Sequence, residues 1–223
     1  MMNKPHFRQQ PHPMIRLIGL LSAAITLMLA SSPAQSGDTV IELWDTIKAP
    51  LPVAVKAVKV DPAKTAFLVL DIEQRTCNSQ TRPRCIEAVP KIKDFLDKVR
   101  AKGVFVAYSL TSLGTPETIL PQVSPLGGEP VVKSSVDKFF NTDLEKILRG
   151  RGIDTVIIAG TTAEGAVIHT ATGASMRGFK VIVPVDGMPA GTLYAEQYSS
   201  WHLLNAPGTR QNTTLTRFDM IGF

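Results

Sequence analysis

Short, uninterrupted apolar runs recur along this chain, separated by amphipathic segments, and this alternation constrains its fold more than any other feature. The runs are 66–70 (AFLVL), 104–108 (VFVAY), 131–132 (VV), 155–159 (TVIIA) and 180–185 (KVIVPV). A continuous apolar run of this length reads as a strand buried on both faces. Between the first two, Val89, Ile92, Phe95, Leu96 and Val99 fall on one face of a helix that stops at Gly103. Leu144, Ile147 and Leu148 mark a second helix, ended by Gly150 and Gly152. A third runs from about Ala166 to Met176, a fourth over 194–204, and a last short strand over 213–216. Strand and helix alternate throughout. The expected fold is α/β, a mostly parallel, doubly wound sheet with helices on both faces.

The first 34 residues follow a different logic. Lys4, Arg8 and Arg16 precede an uncharged 14-residue apolar run over 17–30, and small residues at Ser32-Pro33-Ala34 follow it. This is the pattern of a secretory signal peptide, with Ala34 the last residue removed. The run is short for a membrane span. Export to the periplasm or outside the cell is therefore expected, with no stable membrane span after cleavage. Residues 35–63 then form an N-terminal arm, and 64–223 the α/β domain.

The leader accounts for three of the 24 basic residues, so the mature chain carries 21 against 19 acidic ones. That near balance, without a basic patch interleaved with aromatics, argues against nucleic acid as a partner. The two cysteines, Cys77 and Cys85, lie in a polar loop (TCNSQTRPRC). In an oxidising compartment they read as a disulfide. A metal or redox pair is the alternative, but the spacing matches no common zinc motif and there is no CxxC.

In a doubly wound sheet, ligands bind beyond the carboxyl ends of the strands. Asp71 ends the first strand and Lys133 the third. The turn Gly160-Thr161-Thr162-Ala163-Glu164-Gly165 ends the fourth and opens a helix. Each has a bland reading: a turn-capping Asp, a solvated Lys, a helix cap. Their convergence on one rim makes them candidates together.

The stretches TAFLVLDIE, VVKSSVDKFFNTDL and VIIAGTTAEGAVIHTATGASMRGFKVIVPVDG resemble the isochorismatase-like (cysteine hydrolase) superfamily over about residues 64–206. The resemblance implies that Asp71 and Lys133 are the catalytic Asp and Lys and that they face one another across one pocket. It implies that the backbone N–H groups of Thr162 and Ala166 form an oxyanion hole. It also places the nucleophilic Cys at position 166, where this chain has Ala. A methyl group cannot attack a carbonyl, so the thiol route of nicotinamidase-like members is closed at this position. A second departure is Glu73, where the family often has Gln.

Isochorismate-cleaving members also lack the Cys, but they place an Arg in the loop after the second strand. Here 109–130 contains no Lys or Arg, which disfavours a dicarboxylate. The family's metal site needs His in the loops after the first two strands, and 72–130 has none; no metal or other cofactor is expected. His169 and His202 read as packed or solvated. A Thr161 or Thr162 nucleophile lacks a base at an evident spacing. The expectation is a hydrolase acting on a small neutral or weakly charged molecule through Asp71 and Lys133. The alternative is an inactive binding or scaffold protein on the same fold. The resemblance further implies self-association as a homo-oligomer.

Overall fold

The structure is a computed structural model that describes residues 37–223. The expected signal peptide over 1–34 lies outside the described residues. Residues 37–49 belong to one compact unit, containing a short 3-10 turn, Trp44–Thr46. The second unit begins at Pro50 and runs to Phe223. Residues 50–63 thus share a unit with the domain. Strand β1 (Val58–Lys59) pairs in parallel with β8 (Ile221–Gly222), and Lys56 N–H donates to Leu215 O.

The main sheet has six strands: β2 (Thr65–Leu70), β3 (Phe105–Leu110), β4 (Val131–Lys133), β5 (Thr155–Gly160), β6 (Lys180–Pro184) and β7 (Thr213–Thr216). Their order is β4-β3-β2-β5-β6-β7, with every pairing parallel. The chain winds outward from β2 to β4, returns to β5 on the other flank of β2, and winds outward again. The reversal falls between β2 and β5, the place where such sheets open a crevice at their carboxyl edge.

All six residues of β2 are buried, and so are all six of β5. Alternation divides them between two cores. Ala66, Leu68 and Leu70 join Leu144, Leu148, Ala171 and Leu203 from α2 (Leu144–Arg149), α3 (Ile168–Met176) and α4 (Leu193–Asn205). Phe67 and Val69 join Ile92, Phe95, Leu96 and Val99 of α1 (Pro83–Ala101). Both faces of the sheet are therefore covered, which is why these strands read as continuous apolar runs.

Helix α1 begins six residues before the apolar repeat that announces it. Pro83 occupies its first turn, where a missing N–H costs nothing. Cys85 lies inside the helix and is bonded to Cys77 in the preceding loop, S–S 2.03 Å, with both side chains buried. Closing so short a loop restricts the unfolded chain by about 2–3 kcal/mol. The Cys77→Ser/Cys85→Ser variant is expected to lose that much stability. Paired urea titrations read it, and coincident midpoints would assign the bond no stabilising role.

Candidate functional site

Asp71 follows the last residue of β2 and adopts φ +52, a left-handed conformation that Asp tolerates better than most residues. The turn aims its carboxylate back across the sheet edge rather than outward. It is buried at 4% exposure. Oδ1 accepts a 2.6 Å hydrogen bond from Ser109 Oγ at the end of β3, and Oδ2 lies 2.8 Å from Lys138 Nζ. Burial holds the Asp71 carboxyl above the ordinary carboxylate range; the Lys138 ammonium and the two hydrogen bonds oppose that rise without cancelling it.

The lysine at Asp71 is thus not the expected one. Lys133 ends β4 in register with Leu110, and its side chain is exposed. The cause is strand alternation followed by a tight turn. Val132 takes the buried side, which turns Lys133 away from the core. Ser134 then folds the chain back, its Oγ donating to the carbonyls of Asp137 and Phe140. Lys138, five residues on, is carried over the ends of β2 and β3. The pairing of Asp71 with Lys133 is therefore corrected to Asp71 with Lys138.

Glu73 is a further buried carboxylate that the pattern flagged only as a departure. It is 1% exposed and accepts from Thr111 N–H (2.6 Å), Thr111 Oγ1 (3.3 Å) and Thr118 Oγ1 (3.2 Å). A Cβ on Gly114 would stand 2.1 Å from Glu73 Oε2, so the loop after β3 closes tightly on this group. No ion pair holds Glu73 among the described residues.

The turn after β5 lies against the same edge. Thr161 N–H donates to Leu70 O (3.0 Å), directly before Asp71. The Thr161–Thr162 peptide is cis. Residues Ala163–Val167 form a π-type turn leading into α3, and Thr162 O accepts from both Gly165 N–H and Val167 N–H. Thr162 N–H itself donates to no protein acceptor among the described residues. The Ala166 methyl is buried in the core beneath the turn. Thr161 Oγ1 is buried without a hydrogen-bond partner, so no base contacts it as a nucleophile would require. His169 is exposed, its Nδ1 2.8 Å from Gly165 O. Burial and the neighbouring His169 lower the His202 pKa.

Among the described residues no three His, Cys, Asp or Glu side chains converge as metal ligands. None of their helices is long and apolar enough to cross a membrane.

A buried acid at the switch point of a doubly wound parallel sheet, an ammonium against it, and a helix-opening turn alongside gather at one carboxyl edge of the sheet. The isochorismatase domain model matches residues 65–214, and the chain belongs to that family. Among curated relatives, N-carbamoylsarcosine amidase from Arthrobacter sp is 32% identical over 153 residues, covering 56% of this chain and 58% of that protein. Maleamate amidohydrolase from Pseudomonas putida is 39% identical over 62 residues, covering 27% of this chain and 29% of that protein. The chain therefore spans well under two thirds of these relatives. A solved isochorismatase-like hydrolase from Alkaliphilus metalliredigens shares the fold with TM-score 0.64 and 24% identity, over 71% of this chain and 96% of its own.

Proposed function

We propose that this protein is a small-molecule hydrolase of the isochorismatase family that works without a covalent thiol intermediate, with Asp71 as its proton-transfer group. The observation that carries the reading is Asp71 itself. It is a buried carboxyl at the sheet's switch point whose pKa burial pushes up, a direction that suits a group that must both take and return a proton. Two relatives bear names of amide-cleaving enzymes, which supports a carbonyl substrate. Water, deprotonated by Asp71, attacks the carbonyl carbon. The oxyanion takes a hydrogen bond from Thr162 N–H, and Asp71 returns the proton to the leaving group as the C–N or C–O bond breaks. No thiolate takes part, because the two cysteines are bonded to each other. The loop over 109–130 offers acids and no bases, which favours neutral substrates over dicarboxylates.

A binding or scaffold protein is the second reading. It is favoured by Asp71 having both oxygens already occupied, by Ser109 and Lys138. A screen across small amides, esters and vinyl ethers separates the two. Turnover is expected to fall at least 100-fold in Asp71→Asn, the low end of what a positioned acid–base group contributes, and to survive thiol alkylation. A ligand that binds without turnover in both proteins would establish the second reading instead. We place the mature protein in an oxidising compartment outside the cytoplasm, a reading supported by the leader-like residues 1–34 and the Cys77–Cys85 bond. Intact mass of the exported chain, expected to begin after Ala34, tests it; a retained leader would refute it.

A further inference from the structure

We propose that Lys138, not Lys133, is the residue that positions and charge-balances Asp71, and that it does so from a cradle built for a primary ammonium. The inference deepens the reading of Asp71 as the acid–base group and rests on it, but its test does not use turnover.

Lys138 is completely buried, which lysine almost never is without dedicated partners. Around Nζ stand Asp71 Oδ2 at 2.8 Å, Ser135 O at 2.5 Å, Ser134 O at 3.2 Å and Leu110 O at 3.3 Å. An ammonium has three donors, directed tetrahedrally. Four acceptors from three separate segments converge on it: the end of β2, the end of β3 and the turn after β4. A planar guanidinium presents its donors in a flat fork and does not match that arrangement.

The backbone of Lys138 is fixed on both sides. Its N–H donates to Thr170 Oγ1 (3.2 Å), and its carbonyl accepts from Thr142 Oγ1 (2.6 Å). The preceding Asp137 caps Phe139 N–H at 3.0 Å. Asp137 also packs so closely on α3 that a Cβ at Gly173 would lie 2.7 Å from its carboxylate. The turn is therefore built to deliver this side chain. Lys133 has none of this: it is exposed and makes no ion pair among the described residues. The cation that meets Asp71 stands five residues beyond the lysine that the resemblance selects.

Thermal unfolding of Lys138→Met, Lys133→Met, Asp71→Asn and Asp71→Asn/Lys138→Met tests the pair. Lys138→Met keeps an unbranched apolar stem one atom shorter and leaves Asp71 buried without a cation. Its midpoint is expected to fall by roughly 6–20 °C, the shift corresponding to breaking one side of a buried ion pair in a chain of this size. Lys133→Met should shift little. The double variant should recover much of the loss, because no uncompensated charge remains. The groups facing Asp71 are Lys138 and Glu73, and protonating Asp71 removes the unpaired charge, so the Lys138→Met deficit should shrink as pH falls. A purely packing role would move neither the coupling nor that pH trend.

Lys138→Ala removes three carbons and the nitrogen. Propylammonium replaces those atoms and should raise its midpoint saturably, whereas propanol and guanidinium should not. If Lys138→Met does not fold, refolding of Lys138→Ala in propylammonium against propanol decides the matter. Absence of coupling, equal rescue by propanol, or a larger loss from Lys133→Met would overturn the proposal. A protein with the expected coupling but no hydrolytic turnover would keep this inference and lose the catalytic reading.

Discussion

Gly160→Ala is expected to cost about 2–6 kcal/mol and to leave the chain largely unfolded at modest denaturant. Two independent penalties combine there. Gly160 ends β5 with φ +137, a conformation that carries strain of roughly 1–3 kcal/mol for a residue with a side chain. An added Cβ would also stand 2.1 Å from Leu70 O and 2.7 Å from Leu70 N and C. Those are backbone atoms of the central strand, and no side-chain rotation relieves the clash. Forced overpacking adds about 1–3 kcal/mol more.

Gly128→Ala supplies the control: its φ is +91 but nothing lies within 4 Å of the new carbon, so only the conformational penalty applies. Urea midpoints of the two variants should differ clearly, with Gly160→Ala the lower. Equal midpoints would mean that the β2–β5 contact is not tight. The contact matters for the site because Leu70 precedes Asp71 and Gly160 precedes Thr161. The same close approach that excludes a methyl group holds the acid and the turn at one edge.

The sheet was legible in the sequence because its strands are short and most of them are apolar runs. The run over 131–132, with Lys133 as the strand's end, matches β4; 213–216 coincides with β7, and 66–70 misses β2 by a single residue at its start. The small β1–β8 sheet was not legible. Two strands of two residues have no periodicity, and their partners stand at opposite ends of the domain sequence. The start of α1 was hidden by its polar, proline-containing first turns. Pro90 falls on the exposed face of that helix, so the Ile86 carbonyl that loses its intrahelical donor can turn to solvent. The helix opening at Ala166 proved to be two pieces, a π-type turn over Ala163–Val167 and then α3.

The site divides along the same line. Asp71 was readable because a strand's end is readable, and a parallel sheet gathers its functional groups there. Lys138 was not. Strand alternation says that Lys133 leaves the core, but nothing local says where the next cation points. That is decided by contacts among Ser134, Asp137, Thr142, Thr170 and Gly173, which are set only once α3 has packed. Resemblance selected Lys133 by sequence position, while three-dimensional packing selected Lys138. Glu73 stood out as a substitution, but its work of holding the loop after β3 depends on Thr111 and Thr118, 38 and 45 residues away.

Ala166→Cys is expected to create a thiol that ionises well below the free value of about 8.5. It would be the only titrating thiol, since Cys77 and Cys85 are bonded. Burial of position 166, at 3% exposure, works against ionisation. Three features work for it. The residue lies in the turn that opens α3, where unpaired N–H groups favour an anion. Asp71, with its raised pKa, can accept the thiol proton. The Lys138 ammonium, no longer offset by a carboxylate after that transfer, then favours negative charge at this edge of the sheet. Thiolate absorbance against pH reads the equilibrium without needing reagent access, and iodoacetamide alkylation reads reactivity. Asp71→Asn in the same background should delay ionisation to higher pH, and Lys138→Met should do so too, while Lys133→Met leaves it in place. A thiol that ionises no earlier than a free cysteine, and equally so in all four proteins, would mean that Asp71 and the turn do not share one pocket. The hydrolase reading would then fall, and a binding protein on the isochorismatase fold would take its place.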